Sequence, residues 1–267
     1  MKVLILAIDG LHYDKVLAEE LAALKQSSFA KIDILDIREA QRSTPLLWAS
    51  FITGMKPSQH GLKTWRSFDH PLVDWLGSKA PVFRNSFFWK ALHKLGFESH
   101  PSSIKKSKIP TIFEHVPSYV AISVPGFNMY PEYLERLNLV ESFEDPLQRA
   151  QFTEFVERMH ERTLDELSEK IEADWQLLMV HTWKLDLLNH LYYRDSGLVS
   201  RLYDEMDRLA GAVSRRIDDG IFLIVSDHGT WRGFHTDYGF CSVNIDVELG
   251  RPKITDFYRI IARWLHD

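Results

Sequence analysis

Two stretches share one pattern: Lys2-Val3-Leu4-Ile5-Leu6-Ala7-Ile8-Asp9-Gly10 near the start of the chain, and Ile221-Phe222-Leu223-Ile224-Val225-Ser226-Asp227-His228-Gly229 near its end. Each is an unbroken apolar run that stops at acidic and polar residues. A strand with one wetted face alternates apolar and polar, whereas a strand covered on both faces reads as a continuous run. These runs therefore predict inner strands of a sheet with helices on both sides. In such sheets ligands bind just outside the carboxyl ends of the strands, which is where Asp9, Asp227 and His228 fall.

Outward from these runs, strand-like and helix-like segments alternate. Residues 2–8, 30–37, 119–124, 175–182 and 220–226 read as strands. Residues 13–25, 148–171, 199–217 and 253–265 read as helices, and 47–52 lies in a short one. Alternation of this kind predicts an α/β fold with a mostly parallel central sheet and helices on both faces. Residues 64–117 are irregular, rich in Trp, Phe, Pro and Ser, and carry Lys105, Lys106 and Lys108. They are expected to form either a small cap or insertion, or a meandering surface segment, within a single domain spanning 1–267.

Composition narrows the class. The chain has 267 residues, 45% hydrophobic and 26% charged, which describes an ordinary globular domain. A net charge of −5 argues against a broad nucleic-acid surface. Cys241 is the single cysteine, so any metal must be held by histidines and carboxylates. The first apolar run is too short to cross a bilayer and lacks a cleavage site, and no later run reaches about 18 residues. A cytoplasmic, non-membrane setting is expected.

Three further patterns carry chemistry. Asp186-Leu187-Leu188-Asn189-His190 follows the strand ending near Thr182, and i,i+4 spacing places the carboxylate and imidazole on one helical face, able to share a metal. His235 lies in Gly233-Phe234-His235-Thr236-Asp237-Tyr238-Gly239. Finally, Ser43-Thr44-Pro45-Leu46-Leu47-Trp48 begins a helix, with Thr44 expected as its N-cap and Pro45 at the first helical position. A hydroxyl there sits among unpaired N–H groups, at the positive end of the helix dipole, where a phosphate can be held.

In this order, Asp9, the Thr44 segment with Met55-Lys56-Pro57-Ser58-Gln59-His60-Gly61 behind it, Asp186/His190, Ser226-Asp227-His228-Gly229 and His235 resemble the alkaline phosphatase superfamily, in its type I phosphodiesterase/nucleotide pyrophosphatase branch. The resemblance implies an alkaline-phosphatase-like fold and two divalent metal ions, zinc first and manganese second. Asp9, Asp227 and His228 would hold one ion, faced by the Thr44 hydroxyl; Asp186, His190 and His235 would hold the other. Thr44 would be the nucleophile of a hydrolase of small-molecule phosphate esters, forming a phospho-threonine, and His60 would be structural. Leu62-Lys63-Thr64-Trp65-Arg66 lacks the asparagine that many nucleotide pyrophosphatases carry after the His–Gly turn. Diesters are expected over monoester dianions, with Lys63, Arg66 and Arg232 as the cations that could reverse this. The competing readings are a phosphomutase of the same superfamily and a non-catalytic metal- or phosphate-binding protein.

Overall fold

The computed structural model describes residues 1–68, 70, 72–73, 94–137, 145–217 and 219–266. Its strands, in chain order, are β1 (Val3–Ile8), β2 (Ser28–Asp33), β3 (Arg66–Phe68), β4 (Ser99–Pro101), β5 (Tyr119–Ile122), β6 (Leu177–Thr182), β7 (Ile221–Ser226), β8 (Thr230–Trp231), β9 (Phe234–His235) and β10 (Tyr238–Val243). The helices used below are α1 (Tyr13–Ala18), α2 (Ala22–Lys25), α3 (Thr44–Thr53), α4 (Pro57–His60), α5 (Glu132–Leu137), α6 (Pro146–Lys170), α7 (Lys184–Tyr192), α8 (Ser196–Ser214) and α9 (Phe257–His266).

The central sheet has the order β2-β10-β7-β1-β6-β5. β1 pairs in parallel with both β6 and β7, and β5 pairs in parallel with β6. β10 runs antiparallel to both of its neighbours, β7 and β2. The expected sheet is thus present, mostly parallel. β1 shows why its sequence had to be a continuous apolar run. Leu4, Leu6 and Ile8 enter a core with Phe152 and Val156 of α6 and Leu202 and Met206 of α8. Val3, Ile5 and Ala7 face the other way, into a core with Leu47 and Phe51 of α3 and Phe257 and Ile261 of α9. Full burial of each large apolar side chain contributes about 1.5–3 kcal/mol, so one strand anchors both layers.

Several boundaries differ from expectation. The helix read over 13–25 is two, α1 and α2, because Glu20 takes a positive φ of 54° between them. The second helix starts afresh on α8: Asp207 Oδ1 accepts the N–H groups of both Ala23 and Leu24, each at 2.9 Å. The strand read over 30–37 is β2, shifted earlier. It ends where the Asp33 N–H turns to Pro252 O and the Asp33 carboxylate accepts the Leu35 N–H. The last helix begins with a 3-10 turn, Ile254–Asp256, ahead of α9. Within 64–117, β3 and β4 form an antiparallel ribbon, and Trp65 packs against Trp183 at a centroid distance of 5.5 Å; residues 74–93 lie outside the described residues. No helix among the described residues is long and apolar enough to cross a membrane.

Candidate metal centre

Strand register gathers the first group. Ile8 stands opposite Thr182 and Ala7 opposite Val225, so the three central strands end level and their next residues share one edge. Asp9 Oδ1 lies 3.3 Å from His228 Nε2, and Asp227 Oδ2 lies 3.6 Å from the same nitrogen. All three residues are buried. Two details fix the loops that carry them. The Ser226 hydroxyl donates to His228 O and accepts the Leu11 N–H, tying the end of β7 to the turn after β1. Gly10 has φ +75°, and a Cβ there would lie 2.8 Å from Asp186.

Thr44 arrives on α3. Ser43, with extended backbone, is the N-cap; Thr44 is the first helical residue and Pro45 the second. This corrects the expectation that Thr44 caps the helix. Ser43 O already accepts the Leu46 and Leu47 N–H groups, so the Thr44 side chain is not drawn back to its own helix. Its Oγ1 instead lies 3.4 Å from His228 Nε2. Behind it, the His–Gly turn after α4 braces α3: His60 Nε2 is 3.2 Å from Ser50 Oγ, and His60 Nδ1 accepts the Leu62 N–H.

The second group is built by a helix and a hairpin. On α7, His190 Nε2 lies 3.4 Å from Asp186 Oδ1, as the i,i+4 spacing predicts. The β8–β9 hairpin turns through Arg232 (φ 53°) and Gly233 (φ 80°), the pair of positive φ angles that a tight two-residue hairpin demands. Strand alternation then puts Thr230 and His235 on the inner face and Trp231 and Phe234 on the outer one, where they are 48% and 76% exposed. His235 Nε2 reaches 3.7 Å from Asp186 Oδ1 and 2.7 Å from His190 Nε2. His190 Nδ1 sits 2.9 Å from Gly233 O and donates to it, which turns Nε2 toward the group.

The two groups adjoin through His228, whose ring stacks on His235 at 3.7 Å. Ligand atoms of Asp9, Asp227 and His228 all lie within 4.8 Å of one another, as do those of Asp186, His228 and His235. The structure therefore brings all seven sequence-predicted residues to one place.

Electrostatics shows what the arrangement lacks. Burial, reinforced by the charge of Asp186, pushes Asp9 up to about 7. Burial and the neighbouring Asp9 raise Asp227 well above the carboxylate range. Burial opposes ionisation of Asp186 as well, yet the His190, His235 and His228 imidazoles hold it below its ordinary value. Burial would lower His190, but the Asp186 charge wins and lifts it to about 9. His228 is pushed down to about 4 by burial and by His235. Among the described residues, these three carboxylates make ion pairs with histidines alone, and both oxygens of Asp9 and of Asp227 have no hydrogen-bond donor. Unpartnered buried carboxylates are costly unless a cation compensates them. Carboxylate and imidazole donors at this density fit divalent metal ions.

Two side chains escaped the sequence reading. Thr230 Oγ1 donates a hydrogen bond to Asp186 Oδ1, and Asn189 holds Thr230 O. Thr230 could have been found by its pairing with His235 across the hairpin. His181, on β6, is fully buried with Nε2 3.4 Å from Asp9 Oδ2. It was hidden inside an apolar strand, where a histidine carries no motif.

A profile of the type I phosphodiesterase/nucleotide pyrophosphatase family matches residues 3–240. The chain belongs to this family. Among solved structures, the alkaline phosphatase from the Antarctic bacterium TAB5 superimposes with a TM-score of 0.54 at 10% identity, covering 99% of this chain and 97% of that one. The PH0037 protein of Pyrococcus horikoshii gives 0.52 at 12% identity, covering 99% and 96%. Murine ectonucleotide pyrophosphatase/phosphodiesterase 5 gives 0.46 at 15% identity; 86% of this phosphodiesterase-family chain is covered, but only 57% of the murine chain. No curated protein sequence matches. The first two likenesses place this family member in the alkaline-phosphatase-like fold.

Proposed function

We propose that the chain hydrolyses small-molecule phosphate esters, diesters before monoesters, at a centre of two divalent metal ions, with Thr44 as nucleophile. The observation that carries this reading is the convergence of three buried carboxylates and three histidines on Thr44, with Asp9 and Asp227 lacking any donor of their own. Asp9, Asp227 and His228 would hold one ion beside Thr44, and Asp186, His190 and His235 the other. Zinc suits the mixed donors, with manganese second. Residues 1–267 would then be one catalytic domain, with 64–117 a small cap; the contact of Trp65 with Trp183, just ahead of α7, supports that placement.

Thr44 Oγ1 attacks phosphorus in line with the leaving alkoxide, which departs as the phospho-threonine forms. Water then attacks that phosphorus in line with the Thr44 Oγ1–P bond, from the side the alkoxide vacated, releasing phosphate or a phosphomonoester and restoring the hydroxyl. The amino end of α3 places positive dipole charge beside the incoming phosphoryl group. Bound cations would supply what the protein lacks, lowering the pKa of the threonine hydroxyl and neutralising charge on the phosphoryl oxygens.

Charge favours diesters. Asp9, Asp186 and Asp227 contribute −3, two divalent ions would contribute +4, and ionised Thr44 brings the sum to zero. A monoester dianion then leaves the site at −2, a diester at −1. Of the cations near the motifs, Arg66 is committed to Leu134 O and Ser99 Oγ, and Lys63 is exposed. The test is kcat/KM for bis(p-nitrophenyl) phosphate against p-nitrophenyl phosphate, after chelation and reloading with zinc or manganese. The expected result is two ions per chain, activity that returns with them, and a diester preference. A tenfold monoester preference would make the chain a phosphatase, an isomerised product a mutase, and two bound ions without turnover a binding protein.

A further inference from the structure

His181 is a histidine where β6 otherwise carries only what a double-sided core needs. Neighbouring Leu177, Leu178, Met179 and Val180 are apolar and sealed, and His181 is equally sealed at 0% exposure. Its ring is clamped edge-on between Trp48 of α3, at 5.1 Å and 83°, and Trp183, at 4.9 Å and 71°. Aromatic packing alone would be served by Phe, and Phe would avoid burying two ring nitrogens. Neither His181 nitrogen has a hydrogen-bond partner among the described residues. The nearest opposite charge is Asp9 Oδ2, at 3.4 Å from Nε2, and that oxygen is also without a donor. Asp9 thus stands between two imidazoles, Oδ1 toward His228 at 3.3 Å and Oδ2 toward His181.

We propose that His181 is a positioning residue for Asp9: with an ion in place its Nε2–H, 3.4 Å from Oδ2, donates to that oxygen, so that Oδ1 alone is presented to the ion shared with Asp227 and His228. A carboxylate with two equivalent oxygens can rotate between one-oxygen and two-oxygen ligation, and a donor fixed on one oxygen selects the former. The two tryptophans make the donor rigid, since the clamped ring can neither flip nor withdraw. An outer partner of a metal ligand typically contributes about 10- to 100-fold in metal affinity. The role rests on the reading that Asp9 holds a metal ion, but the tautomer that puts the proton on Nε2 does not require one.

Two measurements separate these. In chelator-treated protein, long-range 1H–15N NMR of the imidazoles reads the His181 tautomer directly. A proton on Nε2 that shifts when Asp9→Asn is introduced is the expected result; a proton on Nδ1 overturns the proposal whether or not metals bind. In the full chain, zinc affinity is then measured by competition with a chromogenic chelator. H181F, which keeps the clamped ring and loses the donor, should weaken the tighter or looser of the two zinc sites by about 10- to 100-fold and leave the other unchanged. H181Q, which returns a donor near Nε2, should recover most of that loss. Equal affinities for H181F and wild type, or H181Q as weak as H181F, would overturn the positioning role. If H181F does not fold, H181M takes its place against H181Q. Wild-type protein that binds no zinc would instead sink the metal reading, with the tautomer still deciding whether His181 holds Asp9.

Discussion

Replacing Asp9, a proposed metal ligand, is expected to make the metal-free protein more stable. In Asp9→Asn the side chain keeps its shape and loses its charge. Asp9 is fully buried, without a donor on either oxygen, and its pKa rises from the ordinary 3.8 to about 7. The folded state therefore binds this proton more tightly than the unfolded chain does. Between about pH 4 and pH 7 the folded state holds more protons, so stability falls as pH rises, and the full penalty is present above pH 7. Three pKa units at 1.36 kcal/mol each put that penalty at about 4 kcal/mol. Asn escapes it. Urea unfolding of chelator-treated protein should show Asp9→Asn little different from wild type at pH 4 and more stable by up to about 4 kcal/mol at pH 8. Zinc should reverse the order, because it stabilises only the chain that binds it. A stability difference that does not change with pH, or a variant less stable at pH 8, would refute the claim that Asp9 is held uncompensated.

Thr44→Ala should lower turnover by several orders of magnitude while leaving zinc stoichiometry unchanged, and should cost at most about 1 kcal/mol in stability, since Thr44 makes no cap bond; activity assays beside metal analysis and thermal unfolding check it. Thr230→Val keeps the side chain's shape but removes the donor to Asp186, and should weaken zinc binding by about 10- to 100-fold in chelator competition with the fold intact. Gly10→Ala forces a non-glycine residue to φ +75° and a Cβ to within 2.8 Å of Asp186; it should cost roughly 1–3 kcal/mol by urea unfolding and displace the Asp186 carboxylate from its ion.

The fold was legible because its inner strands are covered on both sides. β1, β6 and β7 appear as runs that only a double-sided core explains, and the residues closing β1 and β7 belong to the candidate site. The i,i+4 relation of Asp186 and His190 was equally readable, since α7 enforces it. What stayed hidden depends on contacts distant in sequence. Glu20 breaks a helix that periodicity would continue, because Asp207 on α8 supplies a new start for α2. β10 mixes Gly239, Cys241 and Ser242 with Phe240 and Val243, so neither continuous nor alternating apolarity marks it. Thr44 looked like a cap because Ser43 and Thr44 have the same capping chemistry; only the backbone of Ser43 distinguishes them. His181 is invisible in the same sense: its meaning comes from Asp9, 172 positions away.

The place of Thr44 follows from the order of connections. After β1 the chain runs to β2 at one edge of the sheet, then through α3 and residues 64–117 to β5 at the opposite edge. α3 therefore belongs to the crossing between edges, and its amino end arrives beside β1 at mid-sheet. β6 and β7 then flank β1 from the two sides, bringing His181 and Asp227 to Asp9 without any long loop. The carboxylates are thus fixed by strands already anchored in two cores, and Thr44 by a helix buried along its length. A site made this way cannot relax to relieve its own repulsion. Protonation relieves that repulsion at low pH; above about pH 7 it persists in the folded chain, where a bound cation would remove it. That rigidity, rather than any one ligand, would couple metal binding to the positioning of Thr44 in the proposed reaction.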